Sequence, residues 1–194
     1  MSSGVRPCST YLSTKLLINF SMNLSTVYSR RLMWLGCIFS VIGLMSYAIY
    51  AERVLYLDPC PLCITQRMFY IGVALVAIPG LFMIRNLWAQ RISASLLCLS
   101  AIGGVLTAGR QVWLQHLPPE QVPECGLGLQ YWLENEPFLS TLSLLFKGDG
   151  NCAEVHWRFM GLSMGEWSLV WFLALLVTGL ILLFYRKEGQ WNAR

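Results

Sequence analysis

Two cysteines in the stretch LDPCPLCITQR, residues 57–67, have the spacing C-x-x-C. Sulfurs at this spacing can hold a metal, attach a haem or form a redox-active dithiol/disulfide pair. Haem attachment needs a histidine directly after the second cysteine, and Ile64 follows Cys63. Structural zinc needs four ligands, whereas Cys125 and Cys152 are far apart in sequence and have no partner at zinc-finger spacing. The pattern favours redox chemistry, with four thiolates around one ion as the metal alternative.

The residues around Cys63 indicate how its sulfur is activated. Pro61 is typical of the first position of a helix, so Cys60 is predicted to be the N-cap and Cys63 to lie in the first turn. Free backbone N–H groups and the positive end of the helix dipole favour a thiolate there. Arg67 follows one turn later on the same helical face, at the edge of an apolar run. A charge at that depth is expensive, so we interpret Arg67 as functional rather than as an arginine that extends to the lipid head groups.

The composition indicates which elements hold these residues. The chain has 194 residues, of which 56% are hydrophobic and only 12% charged, which excludes an ordinary soluble domain. A bilayer is crossed by a helix of about 20 apolar residues. Runs that qualify cover residues 33–51, 68–84, 92–114 and 167–185. The sequence predicts an all-α membrane protein, a four-transmembrane-helix bundle over 33–187 with loops at about 52–66 and 115–166.

The distribution of Lys and Arg predicts the orientation of this bundle. Basic residues concentrate in residues 1–32, in the link between the second and third runs and after residue 185, while both other loops are acidic. Positive residues in short loops tend to stay cytoplasmic, so both termini are predicted inside and the two acidic loops outside. Residues 1–32 are rich in Ser and Thr and are predicted to be a disordered cytoplasmic tail, with Met22 and Met33 as alternative starts. Residues 188–194 form the second tail.

The seven cysteines fall into groups on this topology. Cys8 lies in the inner tail, and Cys37 and Cys98 lie within helices, where a free cysteine packs as a small hydrophobe. The other four lie on the oxidising side, where an even set can form two disulfides: Cys60, Cys63, Cys125 and Cys152. Four cysteines permit three pairings, and their spacing does not choose among them.

An electron acceptor for Cys63 has to reach it at the membrane. The sequence has no nicotinamide or flavin fingerprint, no haem-ligand pair and no iron–sulfur run of cysteines. A quinone fits because it is flat, apolar and diffuses within the bilayer, and Arg67 would stabilise the negative charge that develops on its oxygen. His116 at the end of the third run is either a further donor to this quinone or an interfacial histidine.

The second loop contains the segment FLSTLSLLFKGDGN, residues 138–151. Its apolar residues cluster as in a short interfacial helix that would tether the loop to the membrane surface. An apolar patch that packs on the helices is the alternative.

These motifs resemble those of the DsbB family of disulfide-bond formation proteins, which are four-helix inner-membrane quinone reductases. The resemblance covers residues from about 30 to 187 and rests on four segments: PCPLCITQR, RQVWLQH, PEC and GNCAEVHWRFMGLSMGEWSL. C-x-x-C alone is weak evidence. Its combination with Arg67, the segment before the fourth helix and the topology is specific.

The resemblance implies a role for each outer cysteine. Cys125 and Cys152 would oxidise a periplasmic dithiol protein of the thioredoxin fold, the DsbA type, with Cys125 forming the mixed disulfide. Cys152 would exchange with Cys60, and Cys63 would pass the electrons to the quinone. This relay is an established property of the family and keeps the bacterial periplasm oxidising.

The resemblance also implies the cofactor, the partners and the location. Arg67 and His116 match quinone-site residues of the family, and the quinone would be ubiquinone or menaquinone. The expected activity is that of a protein-dithiol:quinone oxidoreductase of the bacterial inner membrane that supports periplasmic protein folding. Its expected partners are a DsbA-like protein and the lipid bilayer, with no nucleic acid and no metal. The spacing HLPPEQVPEC before Cys125 is short and Pro-rich, so the segment that docks the client is expected to differ from that of better-known members.

Two other classes of protein remain open at this point. A vitamin K epoxide reductase-like enzyme is also a four-helix thiol/quinone protein, but its quinone-facing C-x-x-C belongs at the start of the last helix rather than the second. A non-enzymatic membrane protein that binds metal or is held together by its cysteines is the other alternative.

Overall fold

The computed structural model describes the backbone of residues 8–123, 145–155 and 157–184, and side chains within these ranges from residue 27 onward, except at residue 119. Its four long helices are α1 Cys8–Arg53, α2 Pro61–Phe82, α3 Leu87–Gln115 and α4 Met164–Phe184. Each contains a segment long and apolar enough to cross a bilayer. The predicted four-helix transmembrane bundle is confirmed, and the chain is a multi-pass membrane protein.

Helix α1 corrects the prediction for the N-terminal residues. It begins at Cys8, so residues 8–32 continue the helix where a disordered tail was predicted. The sequence contains neither proline nor glycine between Cys8 and Leu35. Once the apolar part of α1 is helical, each further residue adds a hydrogen bond at little cost, so nothing in this stretch stops the helix.

The other helices begin earlier than the apolar runs because polar residues cap them. Cys60 is the N-cap of α2, as predicted, and its sulfur accepts a hydrogen bond from the Cys63 N–H. Asn86 caps α3 by accepting from the next turn. At α4, Glu166 N–H donates to Ser163 Oγ at 3.3 Å while Ser163 N–H donates to Glu166 Oε2 at 2.6 Å, a capping box. A hydropathy window does not detect these caps.

Small residues let the helices approach one another closely. A Cβ added at Gly104 of α3 would lie 2.2 Å from the Phe172 ring of α4, which is fully buried. Tyr70 of α2 stacks on the same ring with centroids 4.1 Å apart. On the other side of the bundle, Trp34 Nε1 donates to Gln90 Oε1 at 2.9 Å. The contacts at Phe172 bring α2, α3 and α4 together, and the Trp34–Gln90 bond joins α1 to α3.

Replacing Gly104 by alanine is expected to destabilise the bundle, because the added methyl group cannot fit against Phe172 without moving a helix. We expect a loss of about 1–3 kcal/mol in the free energy of unfolding, measured by thermal unfolding in detergent. Gly43→Ala is the matched control, since a Cβ at Gly43 meets nothing within 4 Å. Equal effects of the two substitutions would contradict this packing.

Between α3 and α4 the described residues form short elements at the end of the bundle where α2 begins and α3 ends. They are two 3-10 turns, Pro119–Gln121 and Gly150–Cys152, and an antiparallel hairpin of β1 Arg158–Phe159 and β2 Leu162–Ser163. The first half of the predicted interfacial helix over 138–151 lies outside the described residues, as does Cys125; residues 145–147 are helical.

Candidate redox site

The two cysteines of the C-x-x-C motif lie together at the start of α2. Both are free, and Cys60 Sγ donates to Cys63 Sγ at 2.9 Å. The Cys63 N–H donates to Cys60 Sγ at 3.4 Å, so the N-cap contact holds the sulfurs on one side of the helix end. Sulfurs at this separation need only a small movement to form or break a disulfide.

A third thiol, that of Cys152, lies against this pair. Cys152 is 1% exposed and packs in one buried cluster with Cys60, Leu62 and Leu114. Hydrogen bonding to the Cys152 sulfur, hydrogen bonding to the Cys63 sulfur and burial raise the pKa of the Cys60 thiol far above its ordinary value. Cys60 is therefore the central sulfur of three, with Cys63 on one side and Cys152 on the other.

The turn that carries Cys152 is fixed to α2 and α3 by close packing and hydrogen bonds. Gly148 has a φ of +74°, and a Cβ there would lie 2.7 Å from Leu62 Cδ1. Only glycine combines that backbone conformation with so close an approach. Thr65 Oγ1 donates to the Leu145 carbonyl at 2.8 Å, and Arg110 Nε donates to the Lys147 carbonyl at 3.3 Å.

Two glutamines that the sequence reasoning missed contact the thiol pair. Gln111 Nε2 donates to Cys63 Sγ at 3.4 Å and lies 3.8 Å from Cys60 Sγ. Gln66 Nε2 in turn donates to Gln111 Oε1 at 2.7 Å, and both residues are 5% exposed. This chain of amides directs an N–H toward Cys63, where it stabilises negative charge on the sulfur. In the sequence, the signal that could have indicated these two glutamines is a pair of polar residues within apolar segments.

Arg67 is tied to α1 by Glu52, which the sequence analysis treats only as one of the acidic residues of the first loop. Its Nη1 forms an ion pair with Glu52 Oε2 at 2.7 Å, and its Nη2 donates to the Ala48 carbonyl at 3.3 Å. The two side chains are 24% and 38% exposed. Arg67 is thereby held within the protein at the end of the bundle where α2 begins, one turn from Cys63.

A cavity of about 300 Å³ opens beside these groups. Its polar lining includes Cys60, Cys63, Arg67, Gln66 and Gln111. Most of the remaining wall is aliphatic and aromatic, from α1, α4 and the hairpin, for example Leu44, Met45, Tyr47, Trp157, Trp167 and Trp171. A flat apolar molecule with polar oxygens matches this combination of walls.

His116 lies at the end of α3 and is not among the described residues that line the cavity. Its exposed ring has Nδ1 at 2.8 Å from the Val112 carbonyl. Gln111 and Gln115 of the same helix do line the cavity. Residues four apart share a helix face, whereas His116 is turned by about 100° from Gln115, which explains the difference.

Two thiols that line a cavity at one end of a four-helix transmembrane bundle, with a third thiol packed against them, define a membrane thiol–disulfide oxidoreductase. Comparison with known families agrees with this class: the model described as "Disulfide bond formation protein DsbB" matches residues 30–182. The chain belongs to the DsbB family and is a membrane oxidoreductase that generates disulfide bonds.

Individual relatives show how far the similarity extends. A protein of Marinobacter nauticus named disulfide bond formation protein B is 43% identical over 156 residues, 80% of this chain and 93% of that protein. A protein of the same name from Saccharophagus degradans is 44% identical over 141 residues, 73% of this chain and 82% of the relative. Disulfide bond formation protein B 1 of Pseudomonas aeruginosa is 39% identical over 148 residues, 76% of this chain and 91% of the relative. The predicted family is confirmed, which decides against the two alternative classes.

Proposed function

We propose that this protein re-oxidises a DsbA-type thioredoxin-fold dithiol protein of the periplasm and passes the electrons to a membrane quinone, ubiquinone or menaquinone. The observation that carries the proposal is the arrangement of three sulfurs: Cys152 packs on Cys60, and Cys63 lines the cavity with Arg67. The charge distribution supports a location in the bacterial inner membrane with both termini cytoplasmic and both loops periplasmic.

Electrons would pass between the cysteine pairs by thiol–disulfide exchange. Cys125 forms a mixed disulfide with the client, and the second client thiol breaks it, which leaves the client oxidised and Cys125 and Cys152 reduced. Cys152 then attacks Cys60 in the Cys60–Cys63 disulfide, and Cys63 leaves as a thiolate. Attack of Cys125 on Cys152 releases Cys60 and restores the Cys125–Cys152 disulfide. The two client electrons now reside on the C-x-x-C pair.

The packing accounts for the direction of this attack. Cys152 contacts Cys60, and Cys63 is the better leaving group because Gln111 directs an N–H donor toward its sulfur and Cys63 lies in the first turn of α2, at the positive end of the helix dipole. A thiol that is stabilised as an anion leaves faster in thiol–disulfide exchange.

The cavity lining fits a quinone. When bound, a quinone supplies the acceptor for two electrons and two protons and becomes a quinol. Arg67 holds a fixed positive charge at the cavity wall, where it stabilises negative charge on an oxygen. A quinone bound against the aromatic and aliphatic walls would displace water from the sulfur of Cys63, which would strengthen the electrostatic contacts there.

The proposal is tested with the purified protein in detergent. A reduced thioredoxin-fold oxidase and a soluble quinone are added, and the quinone absorbance is followed. We expect quinol to form in step with client disulfide, and parallel runs with ubiquinone and menaquinone analogues identify the preferred class. Oxidation of the client without quinone reduction, or no reaction at all, would rule out the proposal.

Gln111→Leu is expected to slow quinone reduction more than His116→Ala does, because Gln111 donates to Cys63 whereas the His116 ring lies outside the described cavity lining. A hydrogen bond to a charged group contributes about 1.5–3 kcal/mol, so we expect a decrease of roughly 10-fold or more in kcat for the Gln111 variant. Steady-state kinetics of both variants over the same series of quinone concentrations give the two kcat values. A larger effect at His116 would favour the role that the family resemblance implies for it.

A further inference from the structure

Asp149 is a buried carboxylate that the relay above does not use. It is 4% exposed and precedes the turn Gly150–Cys152. An aspartate in this position commonly accepts from a backbone N–H of the turn, but among the described residues its side chain makes no such capping bond. Its Oδ2 accepts from Asn151 Nδ2 at 3.1 Å, and its Oδ1 accepts from Cys152 Sγ at 3.6 Å. The carboxylate is therefore directed at the sulfur.

Cys152 needs a proton acceptor in this position. The nucleophile in thiol–disulfide exchange is the thiolate, so the Cys152 thiol has to lose its proton as it attacks. Cys152 is 1% exposed and packs against Leu62 and Leu114, so bulk water has little access to its proton. The Asp149 carboxylate is the acceptor that the structure places on the Cys152 sulfur.

We propose that Asp149 is the general base for the attack of Cys152 on the C-x-x-C disulfide; this rests on the proposed function. As Cys152 Sγ attacks Cys60 Sγ, its proton passes to Asp149 Oδ1. The Cys152–Cys60 bond forms, the Cys60–Cys63 bond breaks, and Cys63 leaves with the electron pair as a thiolate. The proton remains on Asp149 until the Cys152–Cys60 disulfide is resolved. No oxidant is consumed in this step.

The pH dependence of the exchange also reflects the other ionisable groups near this turn. In the described part of the chain, the charged and titratable groups on the turn, on α2 and α3 that pack against it and at their caps are Asp149, Cys152, Lys147, Glu154, Cys60, Cys63, Arg67, Tyr70, Arg91, Cys98, Arg110 and His116. Arg110 binds the Lys147 carbonyl rather than the Asp149 carboxylate. Asp149 is the carboxylate in hydrogen-bond contact with a thiol, so its removal should change the pH dependence of the exchange itself.

The test compares wild-type protein with Asp149→Asn, which keeps the shape and the contact with Asn151. Client-driven quinone reduction is measured for the full-length protein in detergent between about pH 6 and about pH 9. We expect the variant to be about 100-fold slower near neutral pH and to recover as pH rises, since only the spontaneously formed thiolate then reacts. Reduction of the C-x-x-C pair by dithiothreitol bypasses Cys152 and should remain at the wild-type rate. Glu120→Gln, an exposed carboxylate on another turn, is the matched control.

The outcomes separate the inference from the proposed function. An Asp149→Asn rate and pH profile equal to those of the wild type would overturn the inference, as would a deficit of the same size at every pH. If Asp149→Asn also loses the dithiothreitol reaction, the variant Asp149→Glu is measured instead. A pH profile of Asp149→Glu shaped like that of the wild type supports the inference, and a rate that rises steeply with pH overturns it. Failure of the wild-type protein to reduce quinone contradicts the proposed function instead.

Discussion

Cys63→Ser is expected to abolish client-driven quinone reduction, with a loss of more than about 1000-fold in kcat. Cys63 lies in the cavity wall, and of the two thiols that Gln111 contacts it is the nearer, at 3.4 Å against 3.8 Å for Cys60. Serine nearly preserves its volume but cannot form a disulfide or leave as a stabilised thiolate at neutral pH. Stopped-flow measurement of the quinone absorbance gives the rate.

The same variant makes a second, independent observation available. Cys60 also contacts Cys152, so mild oxidation with diamide should trap a Cys60–Cys152 disulfide that the missing Cys63 cannot reopen. Peptide mapping by mass spectrometry detects this bond. Cys98→Ser is the matched control, because Cys98 is a free buried cysteine of α3 and is expected to retain activity. Undiminished quinone reduction by Cys63→Ser would refute its role.

Arg67→Met is expected to lower kcat/KM for the quinone by about 100-fold to 1000-fold, which is the usual effect of removing a preplaced donor at a developing negative charge. Methionine retains much of the aliphatic volume, so the loss reports on the guanidinium. The substitution also leaves Glu52 without its ion-pair partner. Kinetics with varied quinone at saturating client measure the effect.

Three further variants show whether charge or fixed position matters at this wall. Arg67→Lys keeps the charge but not the two-point attachment to Glu52 and Ala48, so an intermediate loss is expected. Glu52→Gln keeps the arginine while weakening its anchor, and we expect a smaller loss, chiefly in KM. Arg53→Gln removes an exposed arginine at the same helix end and should have little effect. Equal losses at Arg53 and Arg67 would indicate a general charge effect rather than a site.

The sequence predicted the four membrane-spanning segments and the redox-active thiols, but it did not predict where each helix begins. Hydropathy identified four spans because each is a continuous local run, but it misjudged the helix starts, which depend on single capping residues such as Asn86 and Ser163. The Ser/Thr-rich composition of residues 1–32 predicts a tail, whereas α1 already begins at Cys8, because neither proline nor glycine interrupts the chain between Cys8 and Leu35. Roles for Cys125 and the segment before residue 145 stay predictions.

The sequence by itself determined that this is a four-helix membrane protein with redox-active thiols, because span length, charge bias and the C-x-x-C spacing are local properties that the chain carries before it folds. Only the tertiary structure decided what surrounds those thiols. Three contacts were not predictable from the sequence. Gln111 donates to Cys63, Glu52 pairs with Arg67, and Asp149 accepts from Cys152. The first two join helices whose rotation is set by packing, and the last depends on how a loop turn is seated against α2 and α3. Rotation about a helix axis turns neighbouring residues by about 100°, which is why Gln111 lines the cavity and His116 does not.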